Sequence, residues 1–453
     1  MLILYLKKIV RQEKAVVYSM LGTVWRIVFA PVSLYLISIK LSPELQGYYY
    51  LFFSIAGLQQ IFEVGFSHTL VQGISHEMGR VSFVEGKIIG DKEGIFKIEE
   101  TLKLGFLWYS GLGVLCLLII CPVGILLMGG VNDDLSSYWL VPWIVFIVLF
   151  SINLFFYPIN FFVEGIQHIE RIYRIRLIIQ IIGNLSFVLF LYLDWKLFCA
   201  IAIPLFSIII NIVLLYIPYM HFFNQYIFRF PSKQFIRSIL KWQLKIGFVY
   251  SSGYLYWQLP TVVIFHILGP VISGQYSMTV NIINSIMNIG QVFVRTKAAI
   301  IGELRNSNNI LAAFRIYKRA TIMSYITVFL GSVVFFIFWS VFPNFQLFNR
   351  MLSWQNTIAL FIIFTATLRT LNQAMYCRCS KDEPFFYLSI FINFGFPLIL
   401  LTCLFLKANI HSVILSFLLL HVIEIIWGEK IFTKFRLSLI HISEPTRPRL
   451  ISY

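Results

Sequence analysis

About a dozen stretches of roughly 20 apolar residues follow one another along this chain, and each is long enough to cross a hydrocarbon core about 30 Å thick as a helix. They fall near 17 to 39, 47 to 70, 104 to 129, 137 to 163, 177 to 193, 196 to 217, 244 to 266, 271 to 294, 320 to 342, 354 to 376, 385 to 406 and 408 to 428. Hydrophobic residues make up 59% of the 453 and charged residues 12%, which excludes a water-soluble domain. Backbone amides in lipid must bond within their own segment, so the expected fold is all-α and integral to the membrane.

The excess of 36 Lys and Arg over 20 Asp and Glu is accounted for by loop polarity rather than by a nucleic-acid partner. Basic residues cluster in alternate connections: Lys7 to Lys14, Arg80 to Lys103, Arg171 to Arg176, Arg229 to Lys241, Arg295 to Arg319, Arg378 with Lys381, and Lys430 to Arg436. The opposite set holds only Lys40, Lys196, Arg350 and Lys407. Both termini are therefore expected on the cytoplasmic side, with the first span an uncleaved helix. Tyr138, Trp139, Trp195 and Trp354 sit at span ends as interfacial anchors. The polar segment from Val71 to Lys103, with Phe83, Ile88 and Ile95 among its charges, predicts an amphipathic surface helix. The tail from Ser438 to Tyr453 resembles a translated sequencing adaptor and is set apart from the fold.

An internal repeat is visible. Leu41 to Tyr49 and Leu268 to Tyr276 share the pattern L-x-P-x-x-x-G-x-Y at an offset of 227. The expected domains are an N-lobe at 1–220, a C-lobe at 221–437 and the tail at 438–453. An even number of helices per copy predicts two six-helix lobes related by a pseudo-twofold axis along the membrane normal. Pro43 and Pro270 end one helix, Gly47 and Gly274 permit close approach in the next, and the hairpin is read as structural.

Polar residues inside spans carry the functional signal, because each needs a partner or a wet cavity. In the eighth span Ser277, Asn281, Asn284, Asn288, Gln291 and Arg295 recur at steps of 4, 3, 4, 3 and 4, one continuous helical face. Weaker rows run through Ser19, Thr23, Arg26 and Ser33, through Asn153, Tyr157, Asn160 and Glu164, and through Thr365, Arg369, Asn372 and Tyr376. The candidate substrate-cavity set is Arg26, Lys245, Ser277, Asn281, Asn284, Asn288, Gln291, Arg369 and Asn372. Arg26, Lys245 and Arg369 would make such a cavity electropositive and suited to a phosphate-bearing substrate. Glu63 and Glu424 are candidate partners of Arg369, and no carboxylate is evident for Arg26. His68, His266 and His421 read as packed imidazoles, and the six cysteines have no metal-type spacing. Neither a metal site nor a cofactor is expected. A proton or sodium gradient or the membrane potential is left as the energy source, since no phosphate-binding loop is present.

The stretch from Leu41 to Glu77, LSPELQGYYYLFFSIAGLQQIFEVGFSHTLVQGISHE, resembles the opening helical hairpin of O-antigen flippase-like polysaccharide exporters. These belong to the multidrug, oligosaccharidyl-lipid and polysaccharide exporter superfamily. The resemblance implies two six-helix lobes around a V-shaped cavity. It also implies flipping of an undecaprenyl-pyrophosphate-linked oligosaccharide across the bacterial inner membrane by alternating access. Lipid-linked glycan and membrane lipids would be the partners, with other polysaccharide-assembly membrane proteins in association. Arg26 matches the cationic residue such exporters carry in the first helix, while Lys245 and Arg369 match it loosely. A drug or cation exporter of the same superfamily is the alternative and calls for an acidic cavity. A membrane polymerase or glycosyltransferase needs a large outward loop, whereas the outward acidic pair Asp133 and Asp134 sits in a short one.

Overall fold

A computed structural model describes the chain except residues 1, 85, 130–134, 228, 308, 380–382, 408 and 444–453. Side chains of 2–13, 68, 238, 240–246, 249–250, 306, 404 and 439–443 also lie outside the described set. Asp133, Asp134 and most of the 438–453 tail thus fall outside the described residues.

The helices begin and end where local chemistry requires. The first, α1 (Leu2–Lys40), runs through Pro31. It gives way to α2 (Pro43–Ala56), whose cap Ser42 accepts a hydrogen bond from the Leu45 amide and whose first residue is a proline. Then come α3 (Gln59–Glu63) and α4 (Phe66–Glu77), separated by Val64 at φ 53° and Gly65 at φ 65°. Two consecutive left-handed residues cannot belong to a helix, so α3 and α4 are separate, and a turn at Gly57 and Leu58 divides α2 from α3, which leaves the predicted 47–70 span in three pieces.

The segment predicted as a surface helix instead forms, after α4, an antiparallel hairpin of β1 (Val81–Val84) and β2 (Lys87–Gly90), with Phe83 opposite Ile88. Gly86 at φ 79° supplies the turn and Gly90 at φ 143° the exit, and alternation puts Val81 and Phe83 against the apolar core. Asp91 then caps α5 (Lys92–Leu115) by accepting from the Gly94 amide at 3.2 Å.

A π-type turn at Cys116–Ile120 leads into α6 (Cys121–Gly129), followed by α7 (Ser136–Gly165), α8 (Ile169–Tyr192), α9 (Ala202–Asn211) and the short α10 (Met220–Phe223). Next are α11 (Lys233–Trp257), capped by Ser232, then α12 (Leu259–Leu268) and α13 (Pro270–Arg295). The chain ends through α14 (Ala298–Asn306), α15 (Ile310–Val341), α16 (Gln346–Asn349), α17 (Trp354–Arg378), α18 (Phe386–Phe405) and α19 (Ile410–Ser443).

Among the described residues, nine helical stretches are long and apolar enough to cross a membrane. They correspond to nine of the twelve predicted spans. The other three differ for physical reasons. The 47–70 span is interrupted as described, and the 244–266 span is divided at Gln258 between α11 and α12. The 271–294 span is one helix, α13, whose polar stripe dilutes its apolar content. The chain is thus an all-α, multi-pass membrane fold carrying one two-stranded hairpin among the described residues.

The chain divides into two compact units, Met1–Gly274 and Gln275–Tyr453. In the first, α1 packs on α8, α5 on α4 and α7, and α8 on α9, while α2 and α3 meet α12 and α11. Its two copies of the repeated motif touch: the Gln46 side-chain amide donates to the Gly274 carbonyl at 2.9 Å, and a Cβ on Gly274 would lie 3.0 Å from the Gly47 nitrogen. A Cβ on Gly47 would overlap the Pro270 carbonyl outright. Two backbones meet here so closely that Gly47 has no room for a side chain and Gly274 little. In the second unit α17 and α18 both pack on α19, and the rings of Phe396 and Phe417 stack at 3.8 Å.

Candidate functional site

Helix α13 has two unlike faces. On one, Gly290 and Ile286 receive α15: a Cβ on Gly290 would stand 2.9 Å from the Ser324 carbonyl, and one on Gly331 would stand 2.8 Å from Ile286. The polar stripe lies on the other face, as positions 3.6 residues per turn apart require. Ser277 and Gln291 are buried at its two ends, whereas Asn281 and Asn288 are exposed and Asn284 is half-buried. The Asn281 amide donates back to the Ser277 carbonyl at 2.8 Å. Asn284 and Asn288 form no hydrogen bond with any described residue. Arg295 donates to the side-chain oxygen of Gln291, closing the stripe with a charge.

The row on α17 is built differently. Arg369 Nε lies 2.5 Å from Glu429 Oε1 of α19, and the Gln373 amide donates to the same carboxylate. The partner is therefore Glu429, five residues beyond the candidate Glu424, and among the described residues neither Glu424 nor Glu63 pairs with Arg369. Arg369 contributes half of a neutral pair rather than free positive charge. Asn372 is buried, and its Nδ2 has no hydrogen-bond partner among the described residues. Glu424 is buried too, with His421 Nε2 at 3.6 Å.

The row on α7 is consumed by packing. The Asn153 amide donates to the carbonyls of Leu149 and Pro204, the latter at 2.7 Å. The Asn160 amide reaches Asn211 Oδ1 at 3.2 Å, and Glu164 pairs with Arg176 at 2.5 Å. Apart from the bond to Leu149 within α7, these are interhelical bonds to α8 and α9, each contributing on average about 0.6 kcal/mol.

In the first unit the row on α1 leaves Arg26 exposed. Its guanidinium donates to Thr23 Oγ1 at 3.4 Å, Thr23 donates to the Ser19 carbonyl, and no described carboxylate lies within ion-pair distance. Gly22, on the flank of that row, packs against Gln180 of α8. Lys245 belongs to α11, and its side chain lies outside the described residues.

One cluster was not singled out by sequence periodicity. At the break after α3, Glu63 Oε1 accepts from the Tyr109 hydroxyl at 2.7 Å and Oε2 accepts from the Gln59 amide at 3.4 Å. The signal that could have found it is Gly65, a helix breaker beside a carboxylate inside an apolar span. Among the described residues, no group of three His, Cys, Asp or Glu side chains could hold a metal ion.

A family model described as "Polysaccharide biosynthesis protein" matches residues 13–301, more than half of the chain. No curated protein matches the sequence. Among solved structures, the inward-facing conformation of a multidrug resistance MATE family transporter of the MOP superfamily is similar at a TM-score of 0.64. It is 14% identical, with 95% of this chain and 99% of that chain covered. The outward-facing conformation of a multidrug resistance MATE family transporter is similar at a TM-score of 0.58 and 15% identity, covering 97% of each chain. A MOP superfamily transporter from Pyrococcus furiosus Vc1 (DSM3638), whose binding pocket is reported as reversed in polarity and suggestive of a different function, gives 0.57, 15% and 97% of each chain. These likenesses establish the fold alone. The chain therefore belongs to the polysaccharide biosynthesis protein family, and it has the fold of the multi-pass transporters of the MOP superfamily.

Proposed function

We propose that this protein is an alternating-access carrier whose substrate meets the amide stripe of α13. One observation carries the reading: Asn281 and Asn288 are exposed on a helix of membrane-spanning length, and Asn284 and Asn288 have no described partner. A polar group facing hydrocarbon unsatisfied costs several kcal/mol, so this face belongs against water or a substrate. Side-chain amides both donate and accept, which suits an array of hydroxyls.

For the substrate, we favour a lipid-linked oligosaccharide of the undecaprenyl-pyrophosphate type, flipped across the cytoplasmic membrane. The family description and the unneutralised guanidinium of Arg26 support this reading. Export of drugs or cations is supported at least as well by the comparisons, since two of the similar structures are of multidrug resistance transporters. The buried carboxylate of Glu424 and the carboxylate of Glu63, which has no ion-pair partner among the described residues, also suit cation chemistry. Within this proposal the twelve spans form two six-helix lobes, 1–220 and 221–437, with both termini cytoplasmic and other polysaccharide-assembly membrane proteins as associates.

Reconstitution into liposomes separates the readings. A fluorescent lipid-linked oligosaccharide and a cationic dye are offered to the wild type, to Asn281→Leu with Asn288→Leu, and to Arg26→Ala and Arg26→Lys. The oligosaccharide reading expects it to be flipped, with loss in the amide variant and in Arg26→Ala and retention in Arg26→Lys. Dye efflux without flipping decides for the second reading. Full activity in the amide variant on either substrate overturns the carrier surface itself.

A further inference from the structure

We infer that Arg305, Arg436 and Tyr376 form a binding site for a phosphate group at one end of the second unit, where α14, α15, α17 and α19 come together. Arg305, on the last turn of α14, is only 7% exposed, and no described carboxylate lies within ion-pair distance of it. Arginine is almost never buried without an anion beside it. Its guanidinium donates to the Tyr376 carbonyl at 2.7 Å and stands over the rings of Tyr376 and Phe435, 4.9 and 5.1 Å from their centroids. Those contacts orient the fork and leave its charge unmatched. Arg436 of α19 stands over the Phe314 ring at 5.2 Å, and its buried Nε has no hydrogen-bond partner among the described residues. The Tyr376 hydroxyl is buried and unpartnered as well, and both guanidinia act on it electrostatically. Three donor groups thus share one neighbourhood that holds no anion of its own.

The carboxylates of this end are committed elsewhere. Glu429, whose charge reaches Arg436, is already shared by Arg369 and Gln373, and Glu383 pairs with Arg378 at 2.8 Å. Glu303 is exposed and precedes Arg305 by two positions, so it leaves α14 on another side. Guanidinium forks held on aromatic faces, with a phenol beside them, match the oxygens of a phosphate better than they match a lone ion. Depth favours a lipid headgroup as its source: Tyr376 lies roughly 33 Å along α17 from Trp354, just beyond a hydrocarbon core about 30 Å thick. Arg315, Lys318 and Arg319 of α15 and Lys434 of α19 are exposed around it and add attraction for an anionic lipid. The loop polarity that orients a membrane protein needs only solvated charges of this second kind, and a buried Arg305 is not one of them. The site is independent of what the stripe of α13 carries.

The test uses the full-length protein in mild detergent, with thermal stability followed as phosphatidylglycerol, phosphatidylcholine or inorganic phosphate is added. Phosphatidylglycerol should raise Tm saturably and phosphatidylcholine should not. Protection by inorganic phosphate at the same concentrations keeps the phosphate site and moves its source from lipid to solution. Tyr376→Phe and Arg436→Gln should each weaken the apparent affinity by about tenfold, whereas Lys434→Gln, on the same helix but exposed, should change it by less than about twofold. Without ligand, Tyr376→Phe should melt no lower than the wild type, because it deletes a buried hydroxyl that has no partner; this separates lost binding from a lost fold. Equal protection by the two lipids, no protection by any of the three additions, an unaltered affinity in Tyr376→Phe, or equal losses in Lys434→Gln and Arg436→Gln overturns the inference.

Discussion

Replacing Gly47 with Ala should destabilise the protein by about 2 kcal/mol. The added Cβ would overlap the Pro270 carbonyl, a backbone atom that cannot rotate away, so the overpacking cost belongs at the upper end of the usual range, about 3 kcal/mol. Against it stands the helix-propensity gain of Gly to Ala, about 1 kcal/mol. The difference corresponds to roughly a thirtyfold change in an equilibrium constant. Gly111 is the matched control, because it lies in α5 with nothing within 4 Å of its Cβ position; Gly111→Ala should gain about 0.5 to 1 kcal/mol. Reversible unfolding in mixed micelles measures both. A Gly47→Ala variant as stable as Gly111→Ala would refute the claim that the two copies of the motif meet at backbone contact.

Asn153→Leu breaks a bond to the Pro204 carbonyl and should cost about 1 to 2 kcal/mol in the same unfolding assay, while Asn281→Leu with Asn288→Leu should leave stability within about 0.5 kcal/mol. A double-mutant cycle on Arg369 and Glu429, 45% and 35% exposed, should return about 1 kcal/mol or less, as for an ion pair wetted by solvent. A coupling of several kcal/mol would place that pair in a dry environment instead.

The sequence made the all-helical membrane fold legible because spans are set by hydrocarbon thickness, which composition reports directly. It did not separate the stripe of α13 from that of α7, for a periodic polar row is the same signal whether it faces water or a neighbouring helix. What decides is the far partner, and Pro204, Asn211 and Arg176 are brought to α7 only by tertiary packing. Glu63 and Glu424 were the candidate partners of Arg369 when Glu429 is the partner, since proximity between α17 and α19 is not written in either helix alone. The hairpin at 81–90 was readable in principle: Gly86 and Gly90 punctuate two short alternating runs, but the flanking charges suggested an amphipathic helix. The left-handed Val64 was not, because a β-branched residue gives no hint of positive φ.

Single cysteines placed along α13, with the six native cysteines removed, test the central claim most directly. In membrane vesicles a water-soluble, membrane-impermeant thiol reagent should label positions 281, 284 and 288, and spare Ile283, Ile286 and Gly290 on the packed face. Labelling confined to a lipid-soluble reagent at 281, 284 and 288 would place the stripe against hydrocarbon, and the carrier surface proposed for α13 would be wrong.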